Sequence, residues 1–270
     1  MMNGARVAIM AGGTGGHVFP ALAVADQLRE LGCVVSWIGT ARGIENRVVP
    51  QAGYPLELIP VTGLRGKGIK TLLLAPFQLT RALLASLKIL GDMQPHLVLG
   101  FGGFVAGPVG LAAKLRGLPL AIHEQNAKAG TTNKILSRWA DRVMTGFPEV
   151  LSPSTYVGNP VREDIRSIPK SRSERTDEAL HVLVLGGSQG ARSLNQVVPA
   201  ALKKLAANQN INVRHQCGPR WLEDTESLYK SLGMQAEVIA FIEKMSEAYA
   251  WSDLVVCRAG AMTVAEVSAM

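Results

Sequence analysis

Ala8-Ile9-Met10-Ala11-Gly12-Gly13-Thr14-Gly15-Gly16-His17 joins a short apolar run to a helical pattern. Leu183-Val184-Leu185-Gly186-Gly187-Ser188-Gln189-Gly190-Ala191 repeats the arrangement in the other half of the chain. An apolar run closed by glycines reads as a parallel strand buried on both faces. Glycines let the next turn be tight and bring backbone N–H groups close to an anion. The helix start that follows adds unpaired donors and a partial positive charge. Two such loops predict two phosphate-bearing ligands, one for each half. The copies differ at one point of chemistry: the first ends in the titratable His17, the second in the inert Ala191.

Outward from the first loop, strands are predicted at 6–11, 33–39, 56–60, 96–100, 118–123 and 142–145, with helical patterns between them, as at 20–31, 71–90 and 105–116. The stretch 152–178 is richer in proline, serine and charge and reads as a linker. Alternation restarts with strands at 181–185, 211–215, 237–241 and 253–257. Such alternation gives parallel sheets covered by helices on both faces. The expected fold is α/β, with two tandem Rossmann-like domains at 1–155 and 156–270. Ligands in such sheets bind beyond the carboxyl ends of the strands, here in a cleft between domains. The last helical pattern stops at Met270 without a capping residue, so the second domain reads as incomplete.

Composition narrows the function classes. Hydrophobic residues make up 47% of the 270 and charged residues 18%, which suits a folded globular chain. Aromatics are only 5%, too few for a base-stacking surface, and no nucleic-acid partner is expected. A net charge of +7 favours anionic ligands in general. Cys33, Cys217 and Cys257 lie far apart with no Cys-x-x-Cys, so neither a disulfide framework nor a zinc site is indicated. The N-terminal apolar run is too short for a signal peptide. The apolar stretch 71–80 falls well short of the ~20 residues that span a bilayer. Neither glycine loop fits the dinucleotide fingerprint, and Gly66-Lys67 is followed by Gly68, which excludes a Walker A loop.

Four further segments carry chemistry. Gly100-Phe101-Gly102-Gly103-Phe104 lies between a strand and a helix and offers a second glycine turn in the first domain. His123-Glu124-Gln125-Asn126 ends a strand. These side chains either cap the next helix or point into the cleft as ligands and acid–base groups. Arg162, in Gly158-Asn159-Pro160-Val161-Arg162, either donates its planar fork to phosphate or base, or is a solvated residue at a hinge. In Arg258-Ala259-Gly260-Ala261-Met262-Thr263-Val264-Ala265-Glu266, Glu266 has two oxygens to offer a ribose diol, but Thr263-x-x-Glu266 is also a capping box. Finally, basic residues at 63–70 precede Leu72, Leu73, Leu74, Phe77 and Leu79, which Arg81 follows. That pattern fits docking on an anionic membrane surface, or a buried helix with solvated flanks.

Together these motifs, GGTGGHVFP at 12–20, GLRGKGIK at 63–70, GFGGFVAGP at 100–108, HEQN at 123–126, VGNPVR at 157–162, GGSQGAR at 186–192 and the segment 255–266, resemble the MurG family of GT-B glycosyltransferases over essentially the whole chain. The resemblance implies transfer of N-acetylglucosamine from UDP-GlcNAc to undecaprenyl-diphospho-muramoyl-pentapeptide (lipid I). The product is lipid II, with inversion at the sugar carbon and no cofactor or metal, on the cytoplasmic face of the bacterial membrane. It implies that the first domain takes the acceptor, with Gly13, Gly102 and Gly103 at its diphosphate. The donor would contact Thr14, Gly15, Gly16, Asn126, Arg162, Ser188, Ile242, Ala261, Met262, Thr263, Val264, Ala265 and Glu266, with Ile242 reading uracil through its backbone.

His17 is the candidate general base, since a helix N-terminus disfavours the imidazolium. Glu124 is the second candidate, with His17 then binding only diphosphate. Family members continue beyond Met270, so a truncated chain is expected. The alternatives are a UDP-GlcNAc 2-epimerase-like enzyme and a non-catalytic nucleotide-binding fragment.

Overall fold

The structure, a computed structural model, describes residues 4–61, 75–169 and 178–270. It forms two compact units, Met1–Arg162 and Glu163–Met270.

The first unit is a parallel sheet of seven strands: β1 (Arg6–Ala11), β2 (Val34–Gly39), β3 (Leu56–Leu58), β4 (Leu97–Gly102), β5 (Leu120–Glu124), β6 (Arg142–Thr145) and β7 (Thr155–Tyr156). Their order is β3-β2-β1-β4-β5-β6-β7. Around them lie α1 (Gly15–Glu30), α2 (Glu45–Gln51), α3 (Ala75–Met93), α4 (Ala106–Leu115) and α5 (Thr131–Leu136). Two cores form, one on each face. Ile9, Val18, Ala21, Trp37 and Phe101 pack on one side, and Met10, Ile38, Val98, Val109 and Leu120 on the other. Neighbours in β1 thus face opposite cores, as a strand buried on both faces requires.

Two differences from the predicted elements bear on function. The first helix begins at Gly15, ahead of the predicted start at 20, so Pro20 lies inside it and both glycines of Gly15-Gly16 are helical. The sequence also gave no sign of β7, which pairs with β6 through Met144↔Thr155 and Thr145↔Tyr156. Two residues are too few for a periodic signal. This strand keeps the chain on the first sheet, and the units divide after 162 rather than after 155.

The second unit is a four-stranded parallel sheet in the order β10-β9-β8-β11, built from β8 (Leu180–Leu185), β9 (Ile211–Gln216), β10 (Glu237–Ile239) and β11 (Leu254–Cys257). Its helices are α6 (Glu163–Arg166), α7 (Arg192–Leu205), α8 (Leu222–Ser231), α9 (Met245–Trp251) and α10 (Ala261–Ala269). Val182, Val184, Val198, Val213 and Tyr229 form its core. Trp251 stacks on His181 at 4.6 Å, with the Arg214 guanidinium 4.3 Å from its ring, which fastens α9 to the strands.

Candidate functional site

In an open parallel sheet the crevice lies where the strand order reverses, outside the carboxyl ends of the two strands concerned. The first unit reverses between β1 and β4, and the second between β8 and β11. The sequence motifs sit on those strand ends. Gly12–Thr14 follows β1, and Gly102-Gly103 closes β4. The loop 186–191 follows β8, and Arg258–Gly260 follows β11.

The first crevice brings four predicted segments together. Gly103 approaches the Gly12 carbonyl so closely that a Cβ would overlap it, and its φ of +80° suits only glycine. Thr14 is the N-cap of α1 in extended conformation, without a side-chain cap. Gly15 and Gly16 are therefore the first helical residues, and their N–H groups have no intrahelical acceptor. His17 Nδ1 lies 3.4 Å from Thr14 Oγ1, and its ring faces Gly102 beside Asn133. The Arg162 guanidinium lies 4.9 Å from the Phe19 ring, which in turn covers Gly15.

His17 is half-buried, and its pKa falls below the usual histidine value. Burial is the largest cause; Glu124, the Gly12 carbonyl and Glu45 all push the other way. The imidazole is held neutral by desolvation, working against two carboxylates.

Gly13 plays a different part from the one predicted. Its N–H donates to Glu45 Oε2 at 2.9 Å, so that donor points into the protein and not at an anion. The N–H groups at the helix start, those of Gly15 and Gly16, come after it.

His123 to Asn126 neither cap in the simple sense nor point freely outward. Glu124 is buried, and each of its oxygens accepts two hydrogen bonds. Oε1 takes them from Asn126 N at 3.0 Å and Asn126 Nδ2 at 2.9 Å; Oε2 takes them from Gly130 N and Asn133 Nδ2, both at 3.0 Å. Its lone pairs are committed to shaping the 126–130 loop and the start of α5, which counts against its taking a substrate proton. Asn126 itself is exposed. His123 Nε2 donates to Gly158 O at 2.9 Å, which leaves Nδ1 to accept from Gln125 Nε2 at 3.1 Å. Asn159 Nδ2 donates to Gln125 O at 3.1 Å. The HEQN segment thus anchors the VGNPVR segment, a pairing that no spacing in the sequence reveals.

The second crevice is built differently. Gly190 N donates to Gly187 O at 2.9 Å, and the helix does not begin until Arg192, with Ala191 as its N-cap. A Cβ on Gly190 would overlap the Cys217 carbonyl, and its φ is +74°. Ser188 is half-buried on the loop. Below the loop runs a neutral relay. Asn195 Nδ2 donates to Cys217 O at 2.9 Å, so Asn195 Oδ1 faces His215 Nε2 at 3.1 Å, and His215 Nδ1 accepts from Tyr229 Oη at 3.0 Å. Burial lowers the His215 pKa to about 4, consistent with one neutral tautomer.

Arg258, absent from the predicted site residues, donates to Gly186 O at 3.0 Å and lies against Gly187. It joins the loops after β8 and β11. The signal for it was available: it immediately follows a strand end.

Two predicted roles in this unit change. Helix α10 has Gly260 as its N-cap, so Thr263 is its third residue and Thr263-x-x-Glu266 is no capping box. Glu266 is instead buried and accepts from Tyr249 Oη at 2.9 Å. Ala261, Met262, Thr263, Val264 and Ala265 are all helical, and Ala261 and Met262 open the first turn. The Ile242 N–H donates to Gln216 Oε1 at 2.9 Å, so only the carbonyl of that residue could read a base. Among the described residues no group of three or more His, Cys, Asp or Glu is placed to hold a metal.

Two α/β units of parallel strands, each with a glycine loop at its switch point, have the construction of GT-B glycosyltransferases. The profile of the glycosyltransferase family 28 N-terminal domain matches residues 7–145, and that of the family 28 C-terminal domain matches residues 181–270. The chain belongs to glycosyltransferase family 28, in the MurG group.

A relative from Azotobacter vinelandii, a UDP-N-acetylglucosamine--N-acetylmuramyl-(pentapeptide) pyrophosphoryl-undecaprenol N-acetylglucosamine transferase, is 52% identical over 269 residues, which is 98% of this chain and 75% of the relative. A Nitrosococcus oceani protein of the same name is 53% identical, with the same coverage of both. The crystal structure of Acinetobacter baumannii MurG superposes with a TM-score of 0.72 at 43% identity, over 98% of this chain and 76% of that one. A UDP-N-acetylglucosamine 2-epimerase superposes at 0.64 with 13% identity, over 94% of this chain and 74% of that one, a likeness of fold alone.

Proposed function

We propose that this chain transfers N-acetylglucosamine from UDP-GlcNAc to the muramoyl 4-hydroxyl of the undecaprenyl-diphosphate-linked acceptor, with inversion. The observation that carries the mechanism is His17: a neutral imidazole at the start of α1, between the glycine turns after β1 and β4. Neutral imidazole is the form a general base requires. The acceptor oxygen forms a bond to the anomeric carbon, the bond from that carbon to UDP breaks, and the hydroxyl proton passes to His17. Gly102 and Gly103 let the acceptor diphosphate approach the loop backbone. The N–H groups of Gly15 and Gly16, with Thr14 and Arg162 beside them, supply donors for anionic oxygens. In the second unit Ser188, Arg258 and the start of α10 serve the donor diphosphate, and Glu266, oriented by Tyr249, takes the ribose diol.

The acceptor's lipid tail requires a membrane surface. Among the described residues no helix is long and apolar enough to cross a membrane. Helix α3 exposes Phe77, Leu79 and Leu84, which support peripheral docking on an anionic inner surface. The basic segment 63–70 and Leu72 to Leu74, the rest of that expectation, lie outside the described residues. Anionic vesicles should sediment the protein at low salt and release it at high salt; equal binding to neutral vesicles would remove the electrostatic part.

The deciding experiment mixes the chain with labelled UDP-GlcNAc and a muramoyl lipid diphosphate. Label should move to the lipid only when both are present. Release of a free 2-epimer without acceptor would favour the epimerase reading.

A further inference from the structure

Glu45 is a fully buried carboxylate at the first residue of α2, and no motif drew attention to it. Three glycines make room for it. A Cβ on Gly12, Gly39 or Gly43 would run into its side chain, and these residues come from the loop after β1, the end of β2 and the turn before α2. Oε1 accepts from Thr40 N at 3.0 Å and Thr40 Oγ1 at 2.7 Å; Oε2 accepts from Gly13 N at 2.9 Å. Among the described residues no cation pairs with it. A buried charge held only by neutral donors is expensive. A glutamine would keep the shape but turn an N–H₂ toward a donor, either Gly13 N–H or the Thr40 pair. The carboxylate alone accepts on both sides.

The consequence lies in the loop. Pulling the Gly13 N–H inward fixes the Gly12–Gly13 peptide, one residue ahead of the Thr14 N-cap, and with it the direction in which α1 leaves β1. The helix start, and His17 on its first turn, follow from that. We propose that Glu45 is the positioning residue of the first glycine loop, and that through this loop it places His17 and the anion-facing N–H groups of Gly15 and Gly16. The inference rests on the reading of His17 and this loop as the acceptor site. It extends that reading to a residue which touches no substrate.

The test is Glu45→Gln in the full chain, followed by four readouts: Gly13 amide hydrogen exchange, the His17 ring titration by NMR, kcat, and KM for each substrate. Exchange at Gly13 should quicken about tenfold or more, as one charge-assisted hydrogen bond is lost. The His17 titration should move to lower pH, because two carboxylates, Glu124 and Glu45, act by their charge to raise it, and one is neutralised. Acceptor KM should rise and kcat fall, with donor KM nearly unchanged.

Wild-type exchange at Gly13 together with a wild-type His17 titration overturns the inference, whatever the activity. If both move while acceptor KM stays at the wild-type value, the shifts report only the lost bond and charge and the inference is overturned; if acceptor KM rises while kcat stays at the wild-type rate, the positioning stands and His17 is not the base. Should Glu45→Gln fail to fold, Thr40→Val removes one hydrogen bond from Oε1 in a near-isosteric side chain. It should show the same acceptor-side signature at smaller amplitude. A loss of melting temperature with no change in Gly13 exchange or acceptor KM would overturn the inference.

Discussion

The loops after β1 and β8 share the pattern Gly-Gly-Ser/Thr-x-Gly, yet the two units hold them by opposite devices. Under the first lies a charged side chain, Glu45, gripping the Gly13 N–H. Under the second lies a neutral relay, Tyr229–His215–Asn195, ending on the Cys217 carbonyl. In the first loop the paired glycines Gly15 and Gly16 are the opening residues of the helix, so their N–H groups have no acceptor within it. In the second the last glycine closes a turn against Cys217, and the helix starts only at Arg192. One pattern therefore yields a loop that carries a neutral imidazole on a helix start and a loop closed against a neighbouring strand end. The shared glycines report tight turns; the chemistry comes from what is packed underneath.

The sharpest way to break this comparison is at His17. His17→Ala should lower turnover roughly 10²- to 10⁴-fold, the range for a lost general base, with donor affinity by calorimetry near wild type. His17 has no counterpart in the second loop, where Ala191 stands, so replacing Ala191 should not mimic the loss. Unchanged turnover would end the base assignment.

The second loop should fail by a different measure. Gly190→Ala places a Cβ on the Cys217 carbonyl at a positive φ, and should destabilise the second unit by about 3 kcal/mol in denaturant melts. An unchanged melt would mean that the two backbones separate easily.

Acid should act on the relay through linkage. His215 titrates near 4 when folded and near 6.5 when unfolded, so below 6.5 the unfolded chain binds the extra proton. Stability should be full above about pH 6.5 and fall as the pH drops toward 4, by about 3 kcal/mol in total. His17 and His123, also lowered by burial, add in the same direction in the first unit. His215→Gln should flatten the slope in the second unit; an unaltered slope would assign the effect elsewhere.

Smaller changes sharpen the assignment of ligands. Glu266→Gln should weaken UDP about tenfold, less for 2′-deoxy-UDP, with little change in melting, because Glu266 caps no helix. Smallest in stability is Gly16→Ala, at an open helical position, which should leave the fold unchanged or stabilise it by less than about 1 kcal/mol. If Gly16 is there for the ligand, acceptor or donor binding should nevertheless weaken.

The sequence by itself determined the class of fold and the location of both crevices. Apolar runs ending in glycine, as at Ala11-Gly12 and Leu185-Gly186, mark where a buried strand stops, and in a parallel sheet that end faces the ligand. It also placed His17 just ahead of a helix, although that helix begins at Gly15 and so takes His17 into its first turn. Tertiary structure decided what those residues do there. Gly13 turns its N–H inward because Glu45, far along the chain, arrives beneath it. Glu124 serves a loop and a helix start because Gly130 and Asn133 close on it. Thr263 has no capping role because Gly260, three residues earlier, is the N-cap of the helix. The causes of the His17 shift belong here too: the dipole of a helix start can be read from local pattern, whereas desolvation depends on how much chain surrounds the ring. Periodicity and glycine placement record a residue's own backbone and its immediate neighbours. Hydrogen-bond partners thirty residues apart, and the burial that sets a proton affinity, exist only once the strands have paired.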